Sequence, residues 1–285
     1  MNNNIFDTLT CTFAETAMLA CIAAAISLLL TRLLLWLLPL WGMMDKPDFK
    51  RRIHTRPVPR GGGLGMLLAF VAVGCIYFGL ARQGADEAPY EMLKLMLPLA
   101  ILLPLGILDD RIGLKARTKF FFQTLAALAA WGLGFRMNAC LGIAFPVWLG
   151  CILTVLWIVA FINAFNMIDG VDGLAGGIGL ISAVCMAVTA FAHNHSDLAA
   201  LLAIFGGSIL GFLYYNWHPA RLFMGDTGSM FIGYVLAAAG LCINAHPISV
   251  ASIGIPLLAC GLPVLDICLA VWRRIVSAPD RKSVV

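Results

Sequence analysis

Apolar stretches long enough to cross a lipid bilayer recur along this chain from Ala14 to Trp272, separated by short polar turns. A spanning helix needs about 20 consecutive apolar residues, and within lipid every backbone N–H and C=O must find its partner inside the segment. The fold class that follows is all-α, a polytopic transmembrane helical bundle. Spans are expected near 14–40, 61–80, 92–108, 120–135, 147–163, 174–192, 197–215, 229–244 and 249–272, about nine helices with Gly, Pro and charged residues as punctuation. Of the 285 residues, 61% are apolar and 12% charged, against about half apolar in a soluble domain. No long polar stretch divides the pattern, so residues 1–285 read as one integral membrane domain. The run Ala14 to Leu40 is too long for a cleavable signal, and no basic residue precedes Arg32.

Basic residues assign the sides. Segments 41–60, 109–119, 163–173, 216–228 and 273–285 carry 6, 4, 0, 1 and 4 Lys and Arg, which is 15 of 19. The positive-inside rule places these segments in the cytoplasm, the amino terminus on the periplasmic side and the carboxyl terminus inside. The formal charge of +4 is therefore local to one face, suited to anionic lipid. Nucleic acid is not an expected partner, because the bases flank spans and no nucleic-acid motif accompanies them. The nine cysteines are scattered singly without a CxxC pair, which suggests neither zinc nor a redox centre.

The segments that collect basic charge also collect acids and amides, and carboxylates near hydrocarbon default to function. In GILDDRIGLKARTKFFFQ, the adjacent acids Asp109 and Asp110 repel unless a cation intervenes. Mg²⁺ is one solution; pairing with Arg111 or Lys115 is the other. In NAFNMIDGVDGLAGG, Asn163, Asn166, Asp169 and Asp172 recur every third residue and share a face on a helical turn. The neighbouring glycines allow close backbone approach to a ligand, and free N–H groups at the next helix start suit phosphate. The plainer role for Asp172 is to cap the sixth helix. In YYNWHPARLFMGDTGSM, Asp226 lies in a tight turn with Thr227 or Ser229 as caps, or aims into a site as a metal ligand. Phe223 is placed either to stack on a nucleobase or to anchor in lipid. The stretch DKPDFKRRIHTRPVPRGGG, which ends with Arg60 and a glycine run, reads as a phosphate-facing loop or as a stiff basic connector.

At these four segments the chain resembles the polyprenyl-phosphate N-acetylhexosamine-1-phosphate transferase family. It is most similar to the bacterial undecaprenyl-phosphate N-acetylglucosamine-1-phosphate transferases. The resemblance lies in Asp45 to Arg52 before Gly61-Gly62, Gly106 to Arg111, Asn163 to Leu174 and Phe223 to Ser229, in order along about residues 40–281. The phospho-MurNAc-pentapeptide transferases share the core motifs but match less well at the first loop and at Asn163.

The resemblance implies transfer of N-acetylhexosamine-1-phosphate, GlcNAc-1-phosphate by branch, from a UDP-N-acetylhexosamine to undecaprenyl phosphate with release of UMP. It further implies Mg²⁺, or Mn²⁺ in its place, at a cytoplasmic site in the bacterial inner membrane. Asp226 would hold the metal, Asp109 would bind or deprotonate the lipid phosphate, and Asp110 would support it. Asn163, Asp169 and Asp172 would hold nucleotide and diphosphate, with Asn166, Asn216, Lys119 and Arg60 facing the substrates and Phe223 stacking on uracil. A homodimer is among the assemblies this reading allows. One departure stands out: the family's histidine-bearing stretch after the ninth helix begins here at Ser277 to Arg281, and the chain then reads Lys282 to Val285. A truncated, inactive relative that binds nucleotide-sugar or polyprenyl phosphate without turnover is the alternative expectation. A transporter, the remaining class, would keep its polar groups near mid-membrane, whereas here they gather at helix ends.

Overall fold

The computed structural model describes residues 4–45, 57–81, 88–140, 143–193 and 195–243. The expected ninth span, the tail 273–285 with its Ser277 to Arg281 departure, and most of the Asp45 to Arg52 motif lie outside the described residues.

Eight helices are described: α1 (Asn4–Leu40), α2 (Gly63–Ile76), α3 (Ala88–Ile112), α4 (Ala116–Gly132), α5 (Val147–Ile168), α6 (Leu174–Ala192), α7 (Ser196–Asn216) and α8 (Gly225–Ile243). Five stretches within them are long and apolar enough to cross a membrane: Phe13–Leu40, Met92–Ile112, Val147–Ile168, Leu174–Ala192 and Ser196–Asn216. The helix α2 is shorter, and a wider-wound segment, Tyr77–Ala81, continues it. Two small antiparallel pairs complete the described elements: β1 (Met44–Asp45) with β2 (Val58–Pro59), and β3 (Ala139–Cys140) with β4 (Ile143–Ala144). In β1–β2, Met44 stands opposite Pro59 and Asp45 opposite Val58.

Several helices run further than hydropathy suggests. Asp109 and Asp110 belong to the last turn of α3, and Asn163 and Asn166 to the last turns of α5. Polar side chains do not stop a helix; α3 ends where Gly113 adopts φ +67°, a left-handed conformation that costs glycine little. At the other margin, Asp226 lies inside the first turn of α8, not in a turn ahead of it.

The helix α8 is buried on nearly every side and contacts α2, α3, α5, α6 and α7. A helix apolar all round belongs in such a position. Phe231 of α8 packs against Phe70 of α2 at 5.4 Å and Phe205 of α7 at 5.3 Å between ring centroids, spacings at which aromatic pairs attract. Small residues allow the closest approaches. A Cβ on Gly63 would lie 2.1 Å from Gly228 Cα, and one on Gly106 would lie 2.6 Å from Thr227 Cα. The start of α2 and the end of α3 are thus pressed against the first turn of α8.

Exposed apolar side chains form the outer surface, among them Leu97 and Leu108 of α3, Trp148 and Leu156 of α5, and Ile181 and Val188 of α6. A patch of this extent on a soluble protein would be an interaction surface; on apolar helices of spanning length it faces lipid.

Candidate active site

The segment after β2 crosses to the entry of α8 through its backbone. Phe223 N–H donates to Pro59 O at 2.9 Å, Gly62 N–H to Phe223 O at 2.9 Å, and Gly63 N–H to Met224 O at 2.9 Å. Arg60 pairs with Phe223 as a parallel bridge. Gly61, with φ +107°, turns the chain from this bridge into α2. Arg60 is thereby carried to the end of α3.

Two cations and three carboxylates meet there. Arg60 Nε donates to Asp110 Oδ1 at 2.9 Å and its Nη2 to Asp226 Oδ1 at 3.1 Å. Lys119 Nζ, on the first turn of α4, donates to Asp109 Oδ2 at 2.6 Å and to Asp226 Oδ2 at 2.8 Å. Asp109 Oδ1 accepts the Leu114 N–H at 2.6 Å, which folds the α3–α4 turn back onto the site. The expected partners of the acid pair, Arg111 and Lys115, are both exposed; Arg60 and Lys119 take that role because the bundle brings their elements to the same point. Asp169 joins from the α5–α6 turn. Burial holds its carboxyl well above the usual carboxylate range; the Arg60 guanidinium opposes the rise, Asp110 adds to it, and the Gly225 amide opposes it.

Beside Lys119 a cleft of about 590 Å³ opens between α4 and α5, lined by Ala116, Arg117, Lys119, Phe120, Asn163 and Asn166. Asn163 Nδ2 donates to Val159 O at 2.8 Å and to Gln123 Oε1 at 2.8 Å. A backbone carbonyl can only accept, so these contacts fix the amide with Nδ2 turned toward Val159. Gln123 was not singled out from sequence; its signal is its position one helical turn beyond Lys119.

Asp172, Asn216 and Phe223 occupy the neighbouring turns. Asp172 Oδ2 accepts from Ala220 N–H at 3.0 Å and lies 3.0 Å from His218 Nδ1. It does not cap α6, which is preceded by Gly173 at the N-cap position and has no side-chain cap. Asn216 is buried with both ends of its amide engaged: Oδ1 accepts Gly173 N–H at 3.1 Å and Nδ2 donates to Leu222 O at 2.9 Å. It clamps the α5–α6 and α7–α8 turns together. Phe223 is half-buried and enters the site's construction through its main chain. Thr227 Oγ1 donates to Asp110 and Ser229 Oγ to Asp226 O, so neither hydroxyl caps a helix from outside.

Among the described residues, no three carboxylate, imidazole or thiol groups stand close enough to enclose a metal ion on their own. The donor set is a pair, Asp109 and Asp226, facing each other across one ammonium. Mg²⁺ is commonly held by one or two carboxylates together with substrate phosphates, and this pair suits that arrangement.

The ends of α3, α4, α5, α7 and α8 that bear these residues meet at one end of the bundle, with the segment before α2 and the α5–α6 turn. Apolar helices of spanning length with this cluster of charged groups at one end define a multi-pass membrane protein whose site lies at the bundle's edge. The chain belongs to glycosyl transferase family 4, whose pattern matches residues 92–244. It is 36% identical over 254 residues to a probable undecaprenyl-phosphate N-acetylglucosaminyl 1-phosphate transferase of Bacillus subtilis, covering 85% of this chain and 68% of the relative. It is 34% identical to the decaprenyl-phosphate N-acetylglucosaminephosphotransferase of Mycobacterium tuberculosis, covering 79% of this chain and 62% of the relative. A phospho-N-acetylmuramoyl-pentapeptide-transferase of Enterococcus hirae is 32% identical over 65% of this chain and 61% of its own length. The chain thus spans about two thirds of the length of these relatives. The family match runs through all three acidic segments, and the inactive alternative finds no support in these likenesses.

Proposed function

We propose that the protein transfers N-acetylglucosamine-1-phosphate from its UDP-sugar to undecaprenyl phosphate, releasing UMP and starting a lipid-linked envelope glycan. The observation that carries this reading is the convergence of Asp109, Asp110, Asp169 and Asp226 with Arg60 and Lys119 at one end of the bundle. Support for the acceptor and the sugar comes from relatives named for polyprenyl-phosphate N-acetylglucosamine phosphate transfer. The basic segments support a cytoplasmic site in the bacterial inner membrane, where a nucleotide sugar arrives from water while the polyprenyl tail stays in lipid.

Both reactants are anions, so the chain's first task is to neutralise charge. Lys119 and Arg60 are the cations nearest the carboxylates, with side chains 23% and 32% exposed, and can turn from carboxylate to phosphate without leaving the site. The cleft beside Lys119 gives a phosphate ester room between Arg117 and the Asn163 and Asn166 amides. An oxygen of the lipid phosphate forms the new bond to the β-phosphorus of the UDP-sugar. The bond between that phosphorus and the bridging oxygen breaks, and UMP leaves with the electron pair. The lipid phosphate is largely ionised near neutral pH, so Asp109 has little proton to remove, and orientation and electrostatics carry most of the rate. Mg²⁺, which Asp226 and Asp109 would hold together with diphosphate oxygens, supplies charge neutralisation on the diphosphate when bound.

Membranes containing the protein, incubated with Mg²⁺, undecaprenyl phosphate and labelled UDP-GlcNAc, are expected to form labelled lipid and UMP in equal amounts. UMP without labelled lipid would point to hydrolysis and remove the transfer reading.

A further inference from the structure

The Asp110 carboxylate is committed to the start of α8. Its Oδ1 accepts Asp226 N–H at 2.7 Å and Arg60 Nε–H at 2.9 Å; its Oδ2 accepts Thr227 N–H at 3.1 Å and Thr227 Oγ1–H at 2.8 Å. A carboxylate has about four acceptor positions, and all four are used. The side chain has 0% exposure, whereas those of Arg60 and Lys119 remain reachable. The first N–H groups of any helix lack partners within it, and here a residue more than a hundred positions away supplies them. Negative charge at that place is also favoured by the helix dipole.

The surroundings hold this arrangement tightly. Gly225 has φ +75°, and a Cβ there would lie 2.5 Å from Asp110 Oδ1. The end of α3 touches Thr227 through Gly106, and the start of α2 touches Gly228 through Gly63. The backbone N–H that Asp110 receives belongs to Asp226 itself, whose carboxylate faces the two cations.

We propose that Asp110 is a positioning residue, which caps α8 from α3 and thereby aims Asp226, and that the acids in contact with the reactants are Asp109 and Asp226. The paired acids of the GILDDR segment then have separate tasks: Asp109 faces Lys119, which lines the cleft, and Asp110 faces the backbone of α8. The catalytic half of this assignment rests on the transferase reading; the capping half does not.

The test compares Asp110→Asn, Thr227→Val and Thr227→Ser in detergent-solubilised full-length protein with two readouts. The first is backbone hydrogen exchange of the peptide covering 225–229, which needs no substrate. Exchange there is expected to rise about tenfold or more in Asp110→Asn and several-fold in Thr227→Val, with Thr227→Ser restoring protection. The second is steady-state transfer. The account expects kcat to fall about 100-fold in Asp110→Asn and about fivefold in Thr227→Val, while KM for UDP-GlcNAc and the Mg²⁺ concentration for half-maximal rate stay within about threefold. Unchanged exchange in both Asp110→Asn and Thr227→Val overturns the proposal. So does a rise of about tenfold or more in the Mg²⁺ requirement of Asp110→Asn, the behaviour of a metal ligand. If Asp110→Asn does not fold, the Val and Ser variants decide alone. If the wild-type protein shows no transfer, the transferase reading fails, and exchange still decides the cap.

Discussion

The ammonium of Lys119 lies 2.8 Å from the Oδ2 of Asp226, a residue 107 positions further along the chain. The same ammonium reaches Asp109 at 2.6 Å, so one base from the start of α4 balances acids from the ends of two other helices. Lys119→Met is expected to take the ammonium from Asp109, to leave Asp226 with Arg60 alone, and to lower transfer by about 100-fold, with Lys119→Arg recovering part of the rate. Initial rates at saturating substrates check this; a wild-type rate for Lys119→Met would remove Lys119 from the site.

Asp226→Asn keeps the size of the side chain and removes its charge. Mg²⁺-dependent release of UMP should fall by about 100-fold or more, while the melting temperature changes little because the backbone N–H that Asp110 holds is retained. A variant with full turnover would exclude Asp226 from metal binding.

The raised Asp169 carboxyl gives a pH dependence with a definite sign. Because its folded value lies above its unfolded value, the group contributes stability at low pH, and that contribution is lost as pH rises from about 4 through the folded value. Asp169→Asn removes this loss and retains an acceptor for the Gly225 amide. In chelator, without divalent cation, the variant should therefore gain thermal stability over the wild type progressively between pH 4 and 8. A gap that stays constant or shrinks across that range would show that the carboxyl ionises freely.

Asn216 joins two turns through both ends of its amide. Asn216→Ala strands the Gly173 N–H and the Leu222 carbonyl, at a cost of about 1–3 kcal/mol for each group left without a partner. Denaturation in detergent should show the loss, with KM for the nucleotide sugar little changed. A large rise in KM with unchanged stability would instead make Asn216 a substrate contact.

Gly63 meets Gly228 backbone to backbone, and the Cβ of Gly63→Ala would lie 2.1 Å from Gly228 Cα. No side-chain rotation relieves that contact. Overpacking of this kind costs about 1–3 kcal/mol, visible as a lower melting temperature. A wild-type melt would show that α2 and α8 pack more loosely than the structure describes.

Hydropathy made the helical class legible, because runs such as Leu174–Ala192 can satisfy their backbone only as helices in lipid. The acidic segments were legible as well, since Asp109, Asp169 and Asp226 stand out against apolar surroundings. Partner choice was not. Arg111 and Lys115 are nearer in sequence to the acid pair, yet Arg60 and Lys119 neutralise it, because helix crossing and the Arg60–Phe223 bridge bring distant segments together. The interior commitments of Asp110 and Asn216 were equally hidden: a carboxylate that receives backbone N–H groups has the same letter as one that faces a substrate. Gln123 is a lone amide in an apolar helix, marked in sequence only by its spacing from Lys119, and its partner Asn163 lies across the α4–α5 contact.

The most direct measurement is transfer itself, with purified full-length protein, Mg²⁺, undecaprenyl phosphate and UDP-GlcNAc carrying label in both the sugar and the β-phosphate. The account predicts that both labels enter the lipid product together and that one UMP appears for each lipid formed. Entry of the sugar label without the phosphate label, with release of UDP, would contradict it.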